Sequence, residues 1–293
     1  MTNNSSIRSL SGASLNVVSR GNHGLPVLFQ HGLGGDAHQV ARIFPDDERF
    51  ALTTIECAGH GGSSCPQPPA FSIEAFYQDI EACSAGRFPD GFVVGGISMG
   101  AALALALAIR NPSRVRGLIL VRPAWFLDKS PDNLEPIRAV SELLRRYPRK
   151  KALEIFISSD LAARIRRSSP DNYSTLTDYL GEHQPEWLGK LLSDIAGDGV
   201  ELSTEQLAAI KVPTLIIGVD ADDIHPFTLA EKLHRLIPGS RFEKAPRKDD
   251  VYAKPSYAGR TAELIADFLG EIEEPTPDRR DSTRGPDEKS ALN

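Results

Sequence analysis

Short runs of consecutive apolar residues recur along the first half of the chain and once more near residue 215. Each run is rich in Val, Leu and Ile, and each ends in a segment that contains Gly, Pro, His or Asp. A continuous apolar run of this length is typical of a strand that is buried on both faces of a parallel sheet. The clearest predicted strands are Pro26–Gln30, Ala51–Ile55, Phe92–Gly96, Gly117–Arg122 and Pro213–Gly218.

Segments with helical periodicity alternate with these strands, and each ends at Gly or Pro. This alternation predicts an α/β fold, a doubly wound and mostly parallel sheet with helices on both faces. Because ligands in such sheets bind at the carboxyl ends of the strands, we expect the functional residues in the loops there. The predicted helices are Ile73–Ala85, Met99–Asn111, Leu229–Leu236 and Gly259–Leu269.

Between Trp125 and Glu205 the strand pattern disappears and only helical segments remain, such as Ile137–Tyr147 and Ala152–Arg166. We therefore predict an α/β core made of residues 7–122 and 206–270, into which a helical cap of residues 123–205 is inserted. Residues 271–293 are polar and interrupted by proline, so we expect a disordered tail there.

Charge and composition exclude several classes of function. The chain has 293 residues and a formal net charge of −6, and it offers no basic stripe for nucleic acid or an anionic membrane surface. No apolar stretch is long enough to cross a bilayer, and residues 1–10 lack the features of a signal peptide, so we expect a cytoplasmic protein. Cys57, Cys65 and Cys83 have neither the number nor the spacing for a disulfide framework or a closed zinc site.

The strongest chemical signal is the run from Gly95 to Gly100, GGISMG, between a predicted strand and an alanine-rich predicted helix. It satisfies Gly-x-Ser-x-Gly in a strand–turn–helix context, with Ser98 at the sharp turn. Side chains two residues on either side of such a serine would collide with the neighbouring strand and helix. We therefore predict Ser98 as a nucleophile that projects into a pocket.

A second glycine-rich loop, from Gln30 to Gly35, QHGLGG, follows the first predicted strand of the list above. Here the chain can turn back under Ser98, so that the backbone N–H of Leu33 joins that of Met99 in holding an oxyanion. We interpret His31 as a structural residue of this loop. A third glycine loop, ECAGHGGS from Glu56 to Ser63, follows the next strand, and we expect His60 to hold it together.

With these three motifs in this order, residues 7–270 resemble the α/β-hydrolase superfamily, in the branch with a helical lid between the sixth and seventh strands. The resemblance implies a sheet of about eight strands, a Ser–acid–His triad in that chain order, a small-molecule substrate and no cofactor. The third motif in this family is usually Asp-x-Arg-Gly-His-Gly-x-Ser. This chain has Glu56 and Ala58 in place of the acid and the arginine, and we expect that departure to affect loop packing and not chemistry.

The acid of the family lies four residues before the proline that begins the helix after the seventh strand. In the run from Val219 to Pro226, VDADDIHP, this rule selects Asp222. Asp220 and Asp223 are close alternatives. The cluster could also serve only to cap the helix that follows.

The histidine of the family normally follows the last strand, shortly before the final helix, but no histidine occurs after His234. The usual spacing reaches Asp250, so the sequence predicts a carboxylate in the place of the base. This matters because a serine hydroxyl is a weak nucleophile without a base within hydrogen-bond reach. Three substitutes stay open: His225, for which we favour a contact at a helix start, His183 from the cap, and Lys248.

Near the mouth of the predicted pocket, Arg122 could bind an anionic group of the substrate or pair with a neighbouring acid. Trp125 could line the pocket or anchor the cap to the core.

Two hypotheses for function follow from the sequence. The first is a serine hydrolase of small esters, lactones or related carbonyl compounds. The second is a non-hydrolytic member that binds a small molecule or transfers a proton through Asp250. A partner-binding scaffold is a third reading, against which stands the complete Gly-x-Ser-x-Gly turn. The sequence does not indicate an oligomeric state.

Overall fold

A computed structural model describes residues 2–273 of the chain. Eight strands form one sheet in the order β1-β2-β4-β3-β5-β6-β7-β8. The strands β3 to β8 run parallel to one another, whereas β2 pairs antiparallel with both β1 and β4. The strands are β1 Thr2–Arg8, β2 Ser14–Arg20, β3 Leu25–Gln30, β4 Phe50–Ile55, β5 Phe92–Ile97, β6 Val115–Val121, β7 Thr214–Val219 and β8 Arg241–Ala245.

Six helices pack around the strands of the sheet or connect them. They are α1 Ala37–Ala41, α2 Ile73–Ala85, α3 Met99–Arg110, α9 Thr204–Ala208, α10 Phe227–Leu236 and α11 Tyr257–Glu273. Apolar residues of α2, α3 and α10 form one buried cluster with the sheet, and those of α1 and α11 form a second. The doubly wound, mostly parallel α/β fold is therefore confirmed.

Between β6 and α9, where the sequence predicts the inserted cap, five α-helices of the described chain follow one another. They are α4 Glu135–Arg146, α5 Arg149–Ile157, α6 Asp160–Ser168, α7 Pro170–Tyr179 and α8 Leu188–Ala196. The helical segment predicted over Ala152–Arg166 is wrong as one helix, because α5 ends at Ile157 and α6 begins at Asp160, with Ser159 as its N-cap. The Ser159 side chain accepts a hydrogen bond from the amide of Ala162, which caps the new helix. The boundaries of the cap stay a prediction.

The strands β1, β2 and β8 lie outside the clear predictions because their apolar residues are few or alternate with polar ones. The predicted disordered tail begins within α11, which continues to Glu273, and its remainder lies outside the described residues. No helix among residues 2–273 combines the length and the apolar character that a membrane span requires. The cytoplasmic location stays a prediction.

Candidate active site

Ser98 occupies a sharp turn between β5 and α3. Its backbone has φ 56° and ψ −110°, a conformation that residues other than glycine rarely adopt. A Cβ atom at Gly96 would collide with the backbone of Gly100, and one at Gly100 would collide with the carbonyl of Gln30. These close approaches explain the two glycines, and the turn presents the Ser98 hydroxyl at the carboxyl end of the sheet.

A histidine reaches this serine, contrary to the expectation from the sequence. His225 Nε2 lies 2.9 Å from Ser98 Oγ. His225 immediately precedes Pro226, which caps α10, so it lies in the loop and not in the helix. Its side chain can therefore turn towards Ser98, and the contact at the helix start that we expected for His225 is not its main interaction.

Asp222 binds the other ring nitrogen of the His225 imidazole. Asp222 Oδ1 lies 2.8 Å from His225 Nδ1 and also accepts the backbone N–H of His225 at 3.0 Å. A carboxylate only accepts, so Nδ1 carries the proton and Nε2 is left to accept the hydrogen bond of the Ser98 hydroxyl. Ser98, His225 and Asp222 thus have the hydrogen-bond order of a Ser–His–Asp triad.

The second oxygen of Asp222 is bound by a buried arginine. Arg122 donates to Asp222 Oδ2 from Nε at 2.7 Å, and its Nη2 lies 2.6 Å from the same oxygen. Arg122 Nη2 also donates to Asp171 at 2.9 Å, and Lys248 binds the other oxygen of Asp171 at 2.6 Å. Arg122 therefore pairs with acids, one of the two roles that the sequence left open.

The charges of this network set the protonation states of the acid and the base. Burial alone would raise the pKa of the Asp222 carboxyl, but the charges of His225 and Arg122 and the hydrogen bonds from His225 and Asn172 hold it well below its usual range. Burial lowers the pKa of His225 below the ordinary 6.5, against the opposing attraction of Asp222. The imidazole is therefore neutral near pH 7 and can accept a proton.

The loop that carries Asp222 and His225 is held by the segment from α6 to α7. Asn172 Nδ2 donates to Asp222 Oδ1 at 2.8 Å. Ser169 Oγ donates to the carbonyl of Ala221 at 2.6 Å and accepts the amide of Asp223 at 2.9 Å. Ala221 has a positive φ of 51°, so these bonds hold a backbone conformation that is unfavourable for alanine.

The oxyanion hole that the sequence predicts, from the backbone amides of Leu33 and Met99, stays a prediction. Leu33 and Met99 are both buried beside Ser98, and within residues 2–273 neither amide donates to a protein acceptor. The glycine loop of Leu33 is fixed by Gln39, whose Oε1 accepts the amide of Gly32 at 2.7 Å. From α7, the Tyr179 hydroxyl donates to the carbonyl of Leu33 at 2.7 Å.

The other candidates for the base lie elsewhere. Asp250 is exposed, and its carboxylate accepts the amide of Tyr252 at 3.0 Å within its own loop. His183 is exposed and pairs with Asp178. Lys248 lines the cavity of Ser98 but pairs with Asp171. The structure thus brings the predicted Ser98 and Asp222 together and leaves the predicted Asp250 at the surface.

The remaining residues that the sequence singled out have structural partners. His31 is fully buried, and its ring nitrogens bond to the carbonyl of Gly32 and the amide of Cys57. Glu56 accepts amides from Ala37 and Gly62, which ties the third glycine loop to α1.

His60 is buried in that loop, and its Nδ1 lies 3.2 Å from the carbonyl of Ala58. Trp125 is 3% exposed and donates to the carbonyl of Asp198, and within the described chain it lines neither cavity near Ser98.

Comparison with known proteins identifies a family. The model of a family described as the alpha/beta hydrolase fold matches residues 26–247. Lipase 1 of Psychrobacter immobilis is 27% identical over 217 residues, which are 73% of this chain and 68% of the lipase. The pimeloyl-(acyl-carrier protein) methyl ester esterase of Neisseria meningitidis serogroup C is 27% identical over 260 residues, 83% of this chain and 93% of that protein.

A solved structure of a thermophilic esterase from Thermogutta terrifontis is similar in fold. The similarity has a TM-score of 0.67 with 24% sequence identity, and it covers 93% of this chain and 100% of the esterase. At that identity the similarity concerns the fold alone.

Proposed function

The chain belongs to the α/β-hydrolase fold family, and on that premise we propose that it is a serine hydrolase of a small ester, lactone or related carbonyl compound. The observation that carries the proposal is the hydrogen-bonded series Ser98–His225–Asp222, with contacts of 2.9 and 2.8 Å. We assign Ser98 as the nucleophile, His225 as the general base and Asp222 as the acid that orients it.

The reaction follows from this arrangement. His225 Nε2 accepts the proton of Ser98 Oγ as Oγ attacks the carbonyl carbon of the substrate. The amides of Leu33 and Met99 hold the oxyanion that develops, and the Asp222 carboxylate stabilises the imidazolium. His225 then gives its proton to the leaving alkoxide, which departs as the alcohol and leaves an acyl group on Ser98.

Water completes the cycle. His225 takes a proton from a water molecule that attacks the acyl carbon, and the Ser98–acyl bond breaks with return of the proton to Ser98 Oγ. The net change is ester plus water to acid plus alcohol. The second hypothesis, a non-hydrolytic member, depends on an unfilled base position, and the contact of 2.9 Å between His225 and Ser98 supports hydrolysis instead.

The comparisons support an ester as the substrate class, because the curated relatives bear the names of a lipase and a methyl ester esterase. A direct test is hydrolysis of p-nitrophenyl acetate and butyrate by the wild type, by Ser98→Ala and by Ser158→Ala, a control on an exposed serine at the end of α5. We expect turnover by the wild type and by the control.

Ser98→Ala should lower kcat by about 10⁶, the loss that removal of the nucleophile causes in a serine protease. A fluorophosphonate should label the wild type and the control but not Ser98→Ala. Hydrolysis that survives in Ser98→Ala would contradict the proposal.

A further inference from the structure

Two cavities near Ser98 share part of their lining. The one that contains Ser98 and His225 has a volume of about 60 Å³, room for only a small group. A larger one of about 270 Å³ lies beside it, between α1 and the loop that joins β8 to α11. Gln39, Ile97, Arg122 and Lys248 line both, so a substrate that reacts at Ser98 can extend into the larger cavity.

Charged side chains of the larger cavity are three cations, Arg42, Arg122 and Lys248, and one anion, Asp250. Asp222 and Asp171 already neutralise Arg122 and Lys248. The guanidinium of Arg42 has no hydrogen bond or ion pair with any residue between 2 and 273. Arg42 is therefore the cation whose charge is left for a ligand.

The carboxylate of Asp250, the other unshared charge of this cavity, accepts the amide of Tyr252 and lies near the positive charge of Arg247. Asp250 is exposed, and its negative charge opposes the binding of an anion in this cavity. Ile43, Ile97 and Ala258 supply apolar wall between the charges. A short aliphatic chain fits such walls, and a carboxylate at its end suits Arg42.

We propose that the larger cavity is a specificity subsite for a carboxylate carried on a short aliphatic chain of the substrate ester. This inference rests on the proposed function and names its substrate class, a small ester that bears a second, ionised carboxyl group. Arg42 binds that carboxylate, Asp250 limits the affinity, and the reacting carbonyl lies at Ser98.

Matched pairs of esters test the subsite from either side of the scissile bond. Monomethyl glutarate and methyl pentanoate differ in the charge on the acyl side, and 4-acetoxybutanoate and butyl acetate differ in the charge on the alcohol side. The quantity measured is the ratio of kcat/KM for the anionic member to that for the neutral member. We expect the wild type to favour the anionic member in at least one pair, and less strongly as salt is added.

Three variants test the direction in which that ratio should change. Arg42→Gln should lower it about fivefold, the effect of losing one partly screened ion pair. Asp250→Asn should raise it. Arg116→Gln makes the same change in net charge on an exposed residue at the start of β6, at the opposite end of the sheet, and should leave the ratio as in the wild type.

An unchanged ratio in Arg42→Gln, an equal change in Arg116→Gln or a lower ratio in Asp250→Asn would each overturn the subsite. If the wild type hydrolyses none of these esters and no p-nitrophenyl ester, the proposed function fails instead. Calorimetry of glutarate binding to the wild type and to Arg42→Gln then tests the subsite. Weaker binding to Arg42→Gln supports the subsite. Equal binding to the two proteins, or no binding to either, contradicts it.

Discussion

Two loops at the carboxyl end of the sheet differ in what they contribute to the site. The loop between β7 and α10 carries both Asp222 and His225, whereas the loop between β8 and α11 carries Lys248 and Asp250. Family spacing assigns the base to the second loop, but the first loop supplies the imidazole at Ser98.

The two loops also differ in how they are held. Side chains from other parts of the chain hold the loop between β7 and α10. Ser169 binds the backbone on either side of Asp222, and Asn133 donates to the carbonyl of Ile224 at 2.6 Å. In the loop between β8 and α11, the backbone hydrogen bonds form short turns within the loop itself. Val251 and Tyr252 of this loop are 84% and 89% exposed. A loop held from outside can fix an imidazole within a few tenths of an ångström, which proton transfer requires.

The largest expected effect concerns the unit formed by Ser98 and His225. His225→Ala should lower kcat for p-nitrophenyl butyrate by about 10⁶, and the double variant with Ser98→Ala should lose no further activity. The reason is that the serine and its base act as one unit. Losses that multiply in the double variant would show that the two side chains act independently.

Asp222→Asn should lower kcat by about 10⁴, because an amide no longer holds the imidazole in the tautomer that accepts the serine proton. Asp223→Asn is the matched control in the same loop, since its carboxylate binds Ser168 instead of His225. Steady-state kinetics of both variants measure the difference. A comparable loss in the two would mean that the loop, and not the Asp222 carboxylate, is what the reaction needs.

Arg122→Met should lower the free energy of unfolding by about 3–5 kcal/mol, because it leaves the buried Asp222 carboxylate without its cation. The control Arg116→Met alters an exposed arginine and should change it by less than about 0.5 kcal/mol. Urea titration followed by circular dichroism measures both. Equal stability of the two variants would contradict a structural role for the buried ion pair.

The smallest expected effect is on pH dependence. His225 accepts a proton only when neutral, so kcat/KM falls as the pH drops through its pKa and levels off above it. Because burial lowers that pKa, the midpoint should lie below 6.5. A pH profile of p-nitrophenyl acetate hydrolysis measures it. A midpoint above 6.5 would mean that the charge of Asp222 outweighs burial at the imidazole.

The sequence predicts the fold and two residues of the candidate site, Ser98 and Asp222, but it does not predict His225 at Ser98. The strands β3 to β7 are continuous apolar runs, and Ser98 is flanked by glycines that its turn requires, so both are visible in local pattern. Asp222 follows from its distance to Pro226. The position of His225 depends on the direction in which a loop side chain turns, which no periodicity encodes.

One signal in the sequence could have found the histidine. Asp222 and His225 are three residues apart directly after a buried strand, a spacing at which a loop carboxylate can bind both the backbone and the ring of the later residue. The sequence predicts Arg122 as a possible partner of an acid, but it does not link Asp171 or Asn172 to Asp222. They come from a separate helix, and only tertiary packing brings them to Asp222.

The central claim, that the base comes from the loop between β7 and α10, is tested most directly by the rate at which a fluorophosphonate labels Ser98. The reagent reports activation of the serine without knowledge of the substrate. In His225→Ala the second-order rate constant should fall at least about a thousandfold, and in Asp250→Ala by less than about tenfold. Rapid labelling of His225→Ala with slow labelling of Asp250→Ala would contradict the account and return the base to the loop between β8 and α11.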